Sequence, residues 1–391
     1  MADTLRLKEG RALLTLFIAA LLQACLHSPL SAQGPTWNWA RTLDAGNEEF
    51  VHDIAVDPVT GTIYVAGAYQ STSATAAPYG LPASVGGAVD AFIAKLDPNG
   101  NLIWSRAIGS PQEDAALGVA VGSTGLVAVT GHYNGAIAGL GLTNAGSRDA
   151  FIAAYDAAGT SQWVRNISSP QVDEGTGVVI AGNVVVAYGA FTYTSVLGGV
   201  LSTNGLSTGQ RYAYLNAYSL NGTLQWSLTG VSGDDIRSGR ITADASHVFA
   251  VGSTEGSTMS WRNSLGATST SASTTNANAL FCSAVSLNGS PAWMRMINNP
   301  GDSEAACHGV AVDCSGVYIT GHTHNGSLFP GGITRTIPGV HDYWFLAALS
   351  KATGTATWVR TAWSDVSHGV TGFGVCAGRN GQIHVAGSVE G

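Results

Sequence analysis

The sequence is poor in charged residues, and lysine is the scarcest of them. Asp, Glu, Lys and Arg make up 11% of the 391 residues, against roughly 25% in an average soluble domain, and only three lysines occur. The formal net charge is −8. Nucleic acids and anionic membranes bind to clustered Lys and Arg side chains. The composition therefore predicts neither of them as a partner.

Long hydrophobic runs are also missing, except at the N-terminus. Three basic residues, Arg6, Lys8 and Arg11, precede an apolar run over residues 12–22. This run is shorter than the ~20 residues that a membrane-spanning helix needs, and it suits the core of a signal peptide. We therefore predict a signal peptide over residues 1–32, an exported protein at the cell surface or outside the cell, and a mature chain without a transmembrane segment.

Two cleavage sites remain open for this signal peptide. The stretch Leu-Gln-Ala-Cys at 22–25 resembles a lipoprotein box, in which Cys25 would carry the lipid. The stretch Leu-Ser-Ala at 30–32 suits ordinary signal peptidase. Gln23 is unusual at its position in a lipoprotein box, so we expect the mature chain to begin at Gln33 without a lipid.

Little in the composition favours helices, and much of it favours strands and turns. The chain contains 51 glycines and long tracts of Ser, Thr and Asn. A tryptophan recurs after a turn at intervals of about 60 to 67 residues, which indicates six copies of one unit over residues 36–391. The six are Trp39, Trp104, Trp163, Trp226, Trp293 and Trp358.

Each copy divides into apolar runs of strand length that are separated by turn residues. In the second copy we predict strands at 91–96, 102–108, 117–121 and 126–131, with turns of the Asp-Pro-Asn-Gly and Asn-Gly type between such runs. Small residues in the run at 118–121 suit the crowded axis of a ring, which makes that strand innermost and the Trp strand outermost. Four antiparallel strands per copy predict the blades of a β-propeller.

A parallel β-helix is the alternative fold, since it is also repetitive and rich in glycine. Its rungs are roughly 20 to 30 residues long, and hairpin turns do not join parallel strands. We therefore predict an all-β propeller of about six four-stranded blades. Only five runs of the third-strand type occur, so the last blade is expected to be incomplete and the chain to be a fragment of a longer protein.

The repeat resembles the bacterial SBBP-type β-propeller repeat. Its pattern DxFxxKL, NGxxxW, GxAVD, GxxYVTG is close to the residues at 90–131, 149–189, 279–321 and 342–387. The resemblance implies an exported or surface-associated protein and brings no catalytic residues with it. The third copy departs most, because Arg211 replaces the first Asp of the pattern and Leu228 replaces the Arg that stands two residues after the other tryptophans.

An acidic element follows most of the tryptophans by eight to eleven residues. The predicted order of strands places these elements around one mouth of the central channel, where carboxylates could bind a cation. A Trp-x-Arg sequence paired with a nearby acid also suits a fastening between blades, and we favour that structural role. The acidic residues are Glu48, Glu49, Glu113, Asp114, Asp173, Glu174, Asp234, Asp235 and Asp302.

The loops between second and third strands are long, and such loops usually carry function. They run roughly over 68–89, 132–148, 190–210, 253–278 and 322–341. They should share a face with the acidic elements and bind a protein or a glycan there, with Tyr133, Tyr193 and Trp261 as the aromatic contacts. The opposite face should carry tight turns.

The sequence thus predicts a binding or scaffold module, expected to be monomeric, without a catalytic residue, metal or cofactor. Two histidines, His322 and His324, could ligate a transition metal, but the paired spacing of zinc motifs is missing. The alternative is a propeller enzyme, either a hydrolase or one that resembles the quinone-dependent dehydrogenases. Turns such as 350–358 resemble the Gly-to-Trp docking element of those dehydrogenases, but that element locks blade to blade and does not hold the quinone.

Overall fold

The runs of strand length pair as hairpins, and the hairpins assemble into sheets with the strand order of propeller blades. In the computed structural model, the described residues are 39–42, 47–71, 79–193, 206–300, 305–324, 326–336, 342–363, 370–378 and 381–389. Residues 41–391 belong to one unit. The predicted signal peptide, residues 1–32, and Asp302 lie outside the described residues.

Five four-stranded blades follow one another along the chain, each with its first strand innermost and its strands in sequence order. Blade 1 contains β1 (Glu49–Val56), β2 (Ile63–Tyr69), β3 (Asp90–Leu96) and β4 (Leu102–Ile108). Blade 2 contains β5 (Ala115–Val121), β6 (Val127–Tyr133), β7 (Asp149–Tyr155) and β8 (Ser161–Ile167). Blade 3 contains β9 (Asp173–Ala181), β10 (Val184–Thr192), β11 (Arg211–Ser219) and β12 (Leu224–Ser232).

The remaining blades carry small insertions. Blade 4 contains β13 (Ile236–Ala243), β14 (His247–Thr254), β17 (Ala279–Ser286) and β18 (Pro291–Ile297), with β15 (Thr258–Asn263) and β16 (Thr268–Ser273) inserted. Blade 5 contains β19 (Ala306–Val312), β20 (Val317–His324), β23 (Asp342–Leu349) and β24 (Ala356–Ala362), with β21 (Leu328–Phe329) and β22 (Ile333–Thr334) inserted. The sixth copy contributes β25 (Val370–Ala377) and β26 (Ile383–Val389), which form a sheet of two strands.

The predicted fold is confirmed. Neighbouring strands within every sheet of the described chain pair antiparallel, as a propeller requires and a parallel β-helix does not. The inner strands β1, β5, β9, β13, β19 and β25 pack side by side in that order. Small residues are needed where they meet: a Cβ on Gly118 would lie 2.9 Å from the Cα of Gly177 in the next blade. No helix in the described ranges is long and apolar enough to span a membrane.

The repeated tryptophan fastens each blade to the next. The Trp104 indole Nε1 donates a hydrogen bond of 3.0 Å to the carbonyl oxygen of Ala157, in the turn between the third and fourth strands of blade 2. The glycine of that turn, Gly159, has a φ of +79°, and a Cβ on it would lie 2.9 Å from the Trp104 ring. Trp163, Trp226 and Trp293 make the same bond to the turn of the following blade. The Gly-to-Trp element is therefore structural, as the sequence predicted.

Two arginines of the Trp-x-Arg sequences, Arg106 and Arg41, bind the turn of the neighbouring blade, and this corrects the predicted pairing with an acid for them. Arg106 Nε donates to the carbonyl oxygen of Gly159 at 2.8 Å. Arg41 makes the equivalent bond of 3.0 Å to Gly100, in the turn of blade 1. The segment around Arg41 thus holds the position that an outer strand holds in the other blades.

The loop over 253–278 is not a loop on the long-loop face. Its hairpin, β15 and β16, adds to the outer edge of blade 3 through β12 and makes that sheet six-stranded. Leu228 on β12 lies opposite Asn263 on β15 and is 2% exposed. An arginine at this position would be covered by the hairpin, which explains why the third copy has leucine there.

Candidate functional site

Every inner strand carries a β-bulge at the same height. In each blade the register against the second strand shifts just after the first few residues of the inner strand, leaving one residue, or two in blade 4, without a ladder partner. A bulge frees backbone groups from the ladder and turns the extra residue aside. The bulge residues are His52, Leu117, Thr176, Gly239, Arg240, His308 and Phe373.

The side chain of Arg240 uses the carbonyl groups that these bulges free. Its Nη2 donates to the carbonyl oxygen of His52 at 2.9 Å, and its Nη1 donates to that of Thr176 at 2.9 Å and to that of Leu117. These acceptors belong to blades 1, 3 and 2, while Arg240 belongs to blade 4. One guanidinium therefore crosses the axis and joins four blades. Hydrogen bonds to a charged group contribute about 1.5–3 kcal/mol each.

A cavity of about 550 Å³ opens beside Arg240, between blades 1 and 2. Its walls are the start of β1, the end of β2, the residues before β3, the start of β5 and the end of β6. Apolar side chains form much of the wall, and five polar side chains interrupt them. The lining residues are Glu48, Phe50, His52, Ala68, Gln70, Ala88, Val89, Glu113, Ala115, Leu117 and His132.

The cavity lies on the face where the long loops emerge. Asp114 Oδ1, in the link between blades 1 and 2, accepts a hydrogen bond of 2.9 Å from the amide of Asn134, where the β6–β7 loop begins. The amide of Asp114 donates to the carbonyl oxygen of Val89, at the end of the β2–β3 loop. Links and long loops thus share one face, as the sequence predicted.

His132, at the end of β6, is the most unusual residue of the cavity. The side chain is 6% exposed, and within the described part of the chain neither ring nitrogen has a hydrogen-bond partner. Burial, with help from Arg148 and His52, lowers the His132 pKa to about 4, so the imidazole is neutral near pH 7. An unpaired buried polar group costs about 1–3 kcal/mol. His132 therefore keeps one donor and one acceptor without a protein partner among the described residues, and a ligand in the cavity reaches them only if the ring turns toward it.

An aromatic pair and two carboxylates surround the opening. The rings of Phe50 and His52 stack with centroids 5.9 Å apart and planes 13° apart, and Phe50 is 50% exposed. Burial and the nearby Arg240 lower the pKa of His52. Glu48 and Glu113 are exposed at the rim, and Glu113 Oε2 lies 2.9 Å from Arg148 Nη2. Arg148 offsets the charge of Glu113, and Glu48 leaves one negative charge at the opening.

The other predicted acidic residues do not form a continuous ring with these two. Asp114 is fully buried and binds the amide and hydroxyl of Ser110, and Asp173 binds the Ser169 hydroxyl and the Thr192 amide. Glu174 pairs with Arg211, whose amide donates to Asp235. Glu49 accepts from the amide of Asn47, and Asp234 is exposed. Several of these carboxylates are therefore structural.

Two blade junctions bury pairs of carboxyl groups. Burial raises the pKa of Asp90 to about 7 and that of Asp114 to about 6, with Asp114 adding to the shift of Asp90. At the next junction, burial raises the pKa of Asp149 to about 6 and that of Asp173 to about 7. At the third, Arg211 replaces the first carboxyl and bonds to Asp235 through its amide. No group of three or more His, Cys, Asp or Glu side chains in the described residues is arranged to hold a metal ion.

Two of the three predicted aromatic contacts are core residues, and this corrects the prediction for them. Tyr133 is 0% exposed, and its hydroxyl donates to the carbonyl oxygen of Thr143 at 3.0 Å. Trp261 is 0% exposed on β15, and its indole donates to the Ser283 hydroxyl at 3.0 Å. Neither ring is accessible to a docked ligand. Tyr193 is half-buried at the start of the β10–β11 loop.

Sequence reasoning missed His132, Phe50 and the bulge ring. One sequence signal was available for His132: the run Thr-Gly-His at 130–132 recurs at 320–322 in blade 5. There the ring centroids of His322 and His308 lie 5.3 Å apart. The buried His324 is the last residue of β20. A histidine that recurs at the same position in two repeats lies on the same face of both blades.

No family model matches the chain. The Caulobacter vibrioides regulatory protein FlaEY is 28% identical over 145 residues, which is 36% of this chain and 15% of that protein. The quinohemoprotein alcohol dehydrogenase of Comamonas testosteroni aligns over 80% of this chain and 55% of its own, at 14% identity and a TM-score of 0.42. Sqt1 of Chaetomium thermophilum aligns over 88% and 97%, at 9% identity and a TM-score of 0.38. These likenesses are distant, and the propeller assignment rests on the strand order described above.

Proposed function

We propose that this chain is an exported β-propeller of the SBBP type that acts as a binding module at the cell surface or outside the cell. The basic residues and apolar run at the N-terminus support export. The repeat pattern supports the SBBP assignment. Rigid blades that carry long loops on one face are a common platform for ligand binding.

The cavity at the channel mouth is the observation that carries the binding role. At about 550 Å³ it falls within the ≈ 300–1,000 Å³ typical of small-ligand pockets. Its wall combines apolar side chains with a few polar groups, which is the usual composition of such pockets. Because the ring nitrogens of His132 have no partner there among the described residues, a bound molecule that reaches them can pair with them.

The binding role is tested by blocking the cavity. Ala88 is half-buried in its wall, and Ala88→Trp fills the opening with an indole. Ala245→Trp, in the exposed β13–β14 turn of the opposite face, is the matched control. Saturation-transfer NMR against a panel of amino acids, amines, short peptides and sugars should show at least one class that binds wild type and the control, and fails to bind Ala88→Trp. Equal binding to all three proteins, or no binding at millimolar concentration, contradicts the proposal.

Export is tested separately. Residues 1–40 fused to a phosphatase that is active only outside the cytoplasm should give an active, processed enzyme. The intact mass of the processed chain should correspond to a start at Gln33. A diacylated start at Cys25 would make the protein a lipoprotein, and an inactive fusion would overturn export itself.

A further inference from the structure

We infer that the cavity at the channel mouth binds one ring of a neutral saccharide, which hydrogen-bonds to His132 and stacks on Phe50. This inference rests on the proposed function, because it names the class of ligand for the same cavity. Three observations carry it: the unused hydrogen-bonding groups of His132, the exposed aromatic surface of Phe50, and the charges of the rim.

The buried imidazole of His132 selects for hydroxyl groups. A neutral imidazole offers one N–H donor and one nitrogen acceptor, and both ring nitrogens of His132 lack a partner among the described residues. A hydroxyl group both donates and accepts, so the hydroxyls of a sugar can pair with both nitrogens. A carboxylate only accepts and an ammonium only donates, so each leaves one nitrogen unpaired. The low pKa of His132 keeps this donor and acceptor pair intact near pH 7.

Phe50 supplies the apolar surface that a sugar ring needs. Half of its area is exposed, although it lies on the innermost strand of blade 1. The stacked His52 ring holds it from one side. Rigid aromatic rings provide contact area at a low cost in side-chain entropy, and the C–H face of a pyranose is apolar.

The charges of the rim favour a neutral ligand over an anionic one. Glu48 and Glu113 are exposed at the opening, and Glu113 is already paired with Arg148 at 2.9 Å. The carboxylate oxygens of both can accept hydrogen bonds from hydroxyls, and Glu48, whose charge no ion pair in the described residues offsets, repels anionic ligands at the opening. The net charge of −8 acts in the same direction.

Calorimetric titration with methyl glycosides of glucose, galactose, mannose and N-acetylglucosamine tests this inference, together with short oligosaccharides that end in the same sugars. Wild type should bind at least one of them. His132→Phe should weaken its binding about tenfold or more, because a hydroxyl of the sugar is then buried against carbon. His132→Gln keeps a donor and an acceptor and should stay within about threefold. Phe50→Ala should weaken binding about five- to tenfold through lost stacking.

His247→Phe is the control, since His247 starts β14 on the tight-turn face and should bind as wild type does. If His132→Phe does not fold, Phe50→Ala decides, because Phe50 is exposed and its truncation leaves the core intact. Equal binding of methyl glycosides and oligosaccharides indicates recognition of a single ring, and much tighter oligosaccharide binding indicates the end of a glycan chain.

Two outcomes overturn the inference. One is the absence of binding to every glycoside and oligosaccharide at millimolar concentration. The other is wild-type affinity in both His132→Phe and Phe50→Ala. If an amine or peptide binds wild type but not Ala88→Trp while no sugar binds, the proposed function stands and the saccharide assignment fails.

Discussion

The Arg240 guanidinium donates a hydrogen bond of 2.9 Å to the carbonyl oxygen of His52, a residue 188 positions earlier in the chain. The bond crosses the axis from blade 4 to blade 1. Because the same side chain also binds the carbonyl groups of Leu117 and Thr176, one arginine fixes the positions of four inner strands. Two of its acceptor residues, His52 and Leu117, also line the cavity, so the axial bonds position part of the candidate site.

Replacing Arg240 should destabilise the whole ring. In Arg240→Met the three carbonyl oxygens lose their charged donor, and we expect the free energy of unfolding to fall by about 4 kcal/mol or more. Arg237→Met is the matched control on the same strand, because the ion pair of Arg237 with Glu255 is half exposed and such pairs contribute roughly 0–1 kcal/mol. Chemical denaturation measures both. Similar losses in the two variants would show that Arg240 has no special role at the axis.

The turn glycine beneath each tryptophan should tolerate no side chain. Gly222 has a φ of +80°, and a Cβ there would lie 2.6 Å from the Trp163 ring. Gly222→Ala should therefore cost about 2–4 kcal/mol, from backbone strain and from displacement of the indole.

Gly209 separates these two causes. Its φ is +85°, but nothing lies within 4 Å of the Cβ position. Gly209→Ala should cost only about 1 kcal/mol, from strain alone. Thermal melts of both variants test the contact, and equal losses would assign the whole effect to the backbone.

The repeat and its tryptophans predicted the blades because both depend on local pattern. Asn221-Gly222 specifies a hairpin, and Trp163 has a neighbour in the next copy by the symmetry of the repeat. The site could not be predicted in this way, since the ring of bulges depends on where one residue in each inner strand loses its partner. Nothing local to His132 indicates that its imidazole has no hydrogen-bond partner among the described residues.

Trp261 is a second residue whose environment could not be predicted from the sequence. It stands in a polar, Ser- and Thr-rich stretch that reads as an exposed loop, yet the hairpin that contains it pairs with β12 and buries it. Only the tertiary pairing of β15 with the outer edge of blade 3 decides its burial. The one sequence sign of that pairing was the leucine at 228, whose meaning depends on knowing what covers it.

Stability should fall as the pH rises through the range in which the paired carboxyl groups ionise. Burial raises the pKa of Asp90 to about 7 in the folded state, from 3.8 for an aspartate in water. The folded state thus holds this proton more tightly than the unfolded state. Its stabilising effect is complete below pH 4 and is lost as the pH rises through about 7. Asp173, also raised to about 7, acts in the same direction.

Asp90→Asn should flatten this pH dependence. The amide has nearly the shape of the protonated carboxyl and does not ionise, so the variant should be more stable than wild type at pH 8 by about 1–3 kcal/mol and nearly equal at pH 4. Urea unfolding at several pH values measures the slope. Asp234→Asn, on the exposed link before blade 4, should leave the slope unchanged. A wild-type slope in Asp90→Asn would mean that Asp90 ionises normally in the folded protein.

The hairpin on blade 3 should determine which side chain is tolerated two residues after the tryptophan of that blade. Leu228 is 2% exposed under β15, whereas Arg165, the equivalent residue of blade 2, is exposed on the outer edge. Leu228→Arg places a charge under the hairpin without a partner and should cost about 3 kcal/mol or more, or detach β15 and β16. Arg165→Leu changes an exposed side chain whose guanidinium lies over the Trp163 ring, and it should cost only about 0.5–1 kcal/mol.

The two outcomes for Leu228→Arg can be told apart by hydrogen exchange. Detachment of the hairpin would expose the amides of β15 and β12 while the other blades stay protected, because the β12–β15 ladder joins the hairpin to the blade through one edge. Global destabilisation would raise exchange in every blade. If Leu228→Arg is as stable as wild type and β15 stays protected, the hairpin does not cover residue 228, and the packing explanation for the leucine of the third copy is wrong.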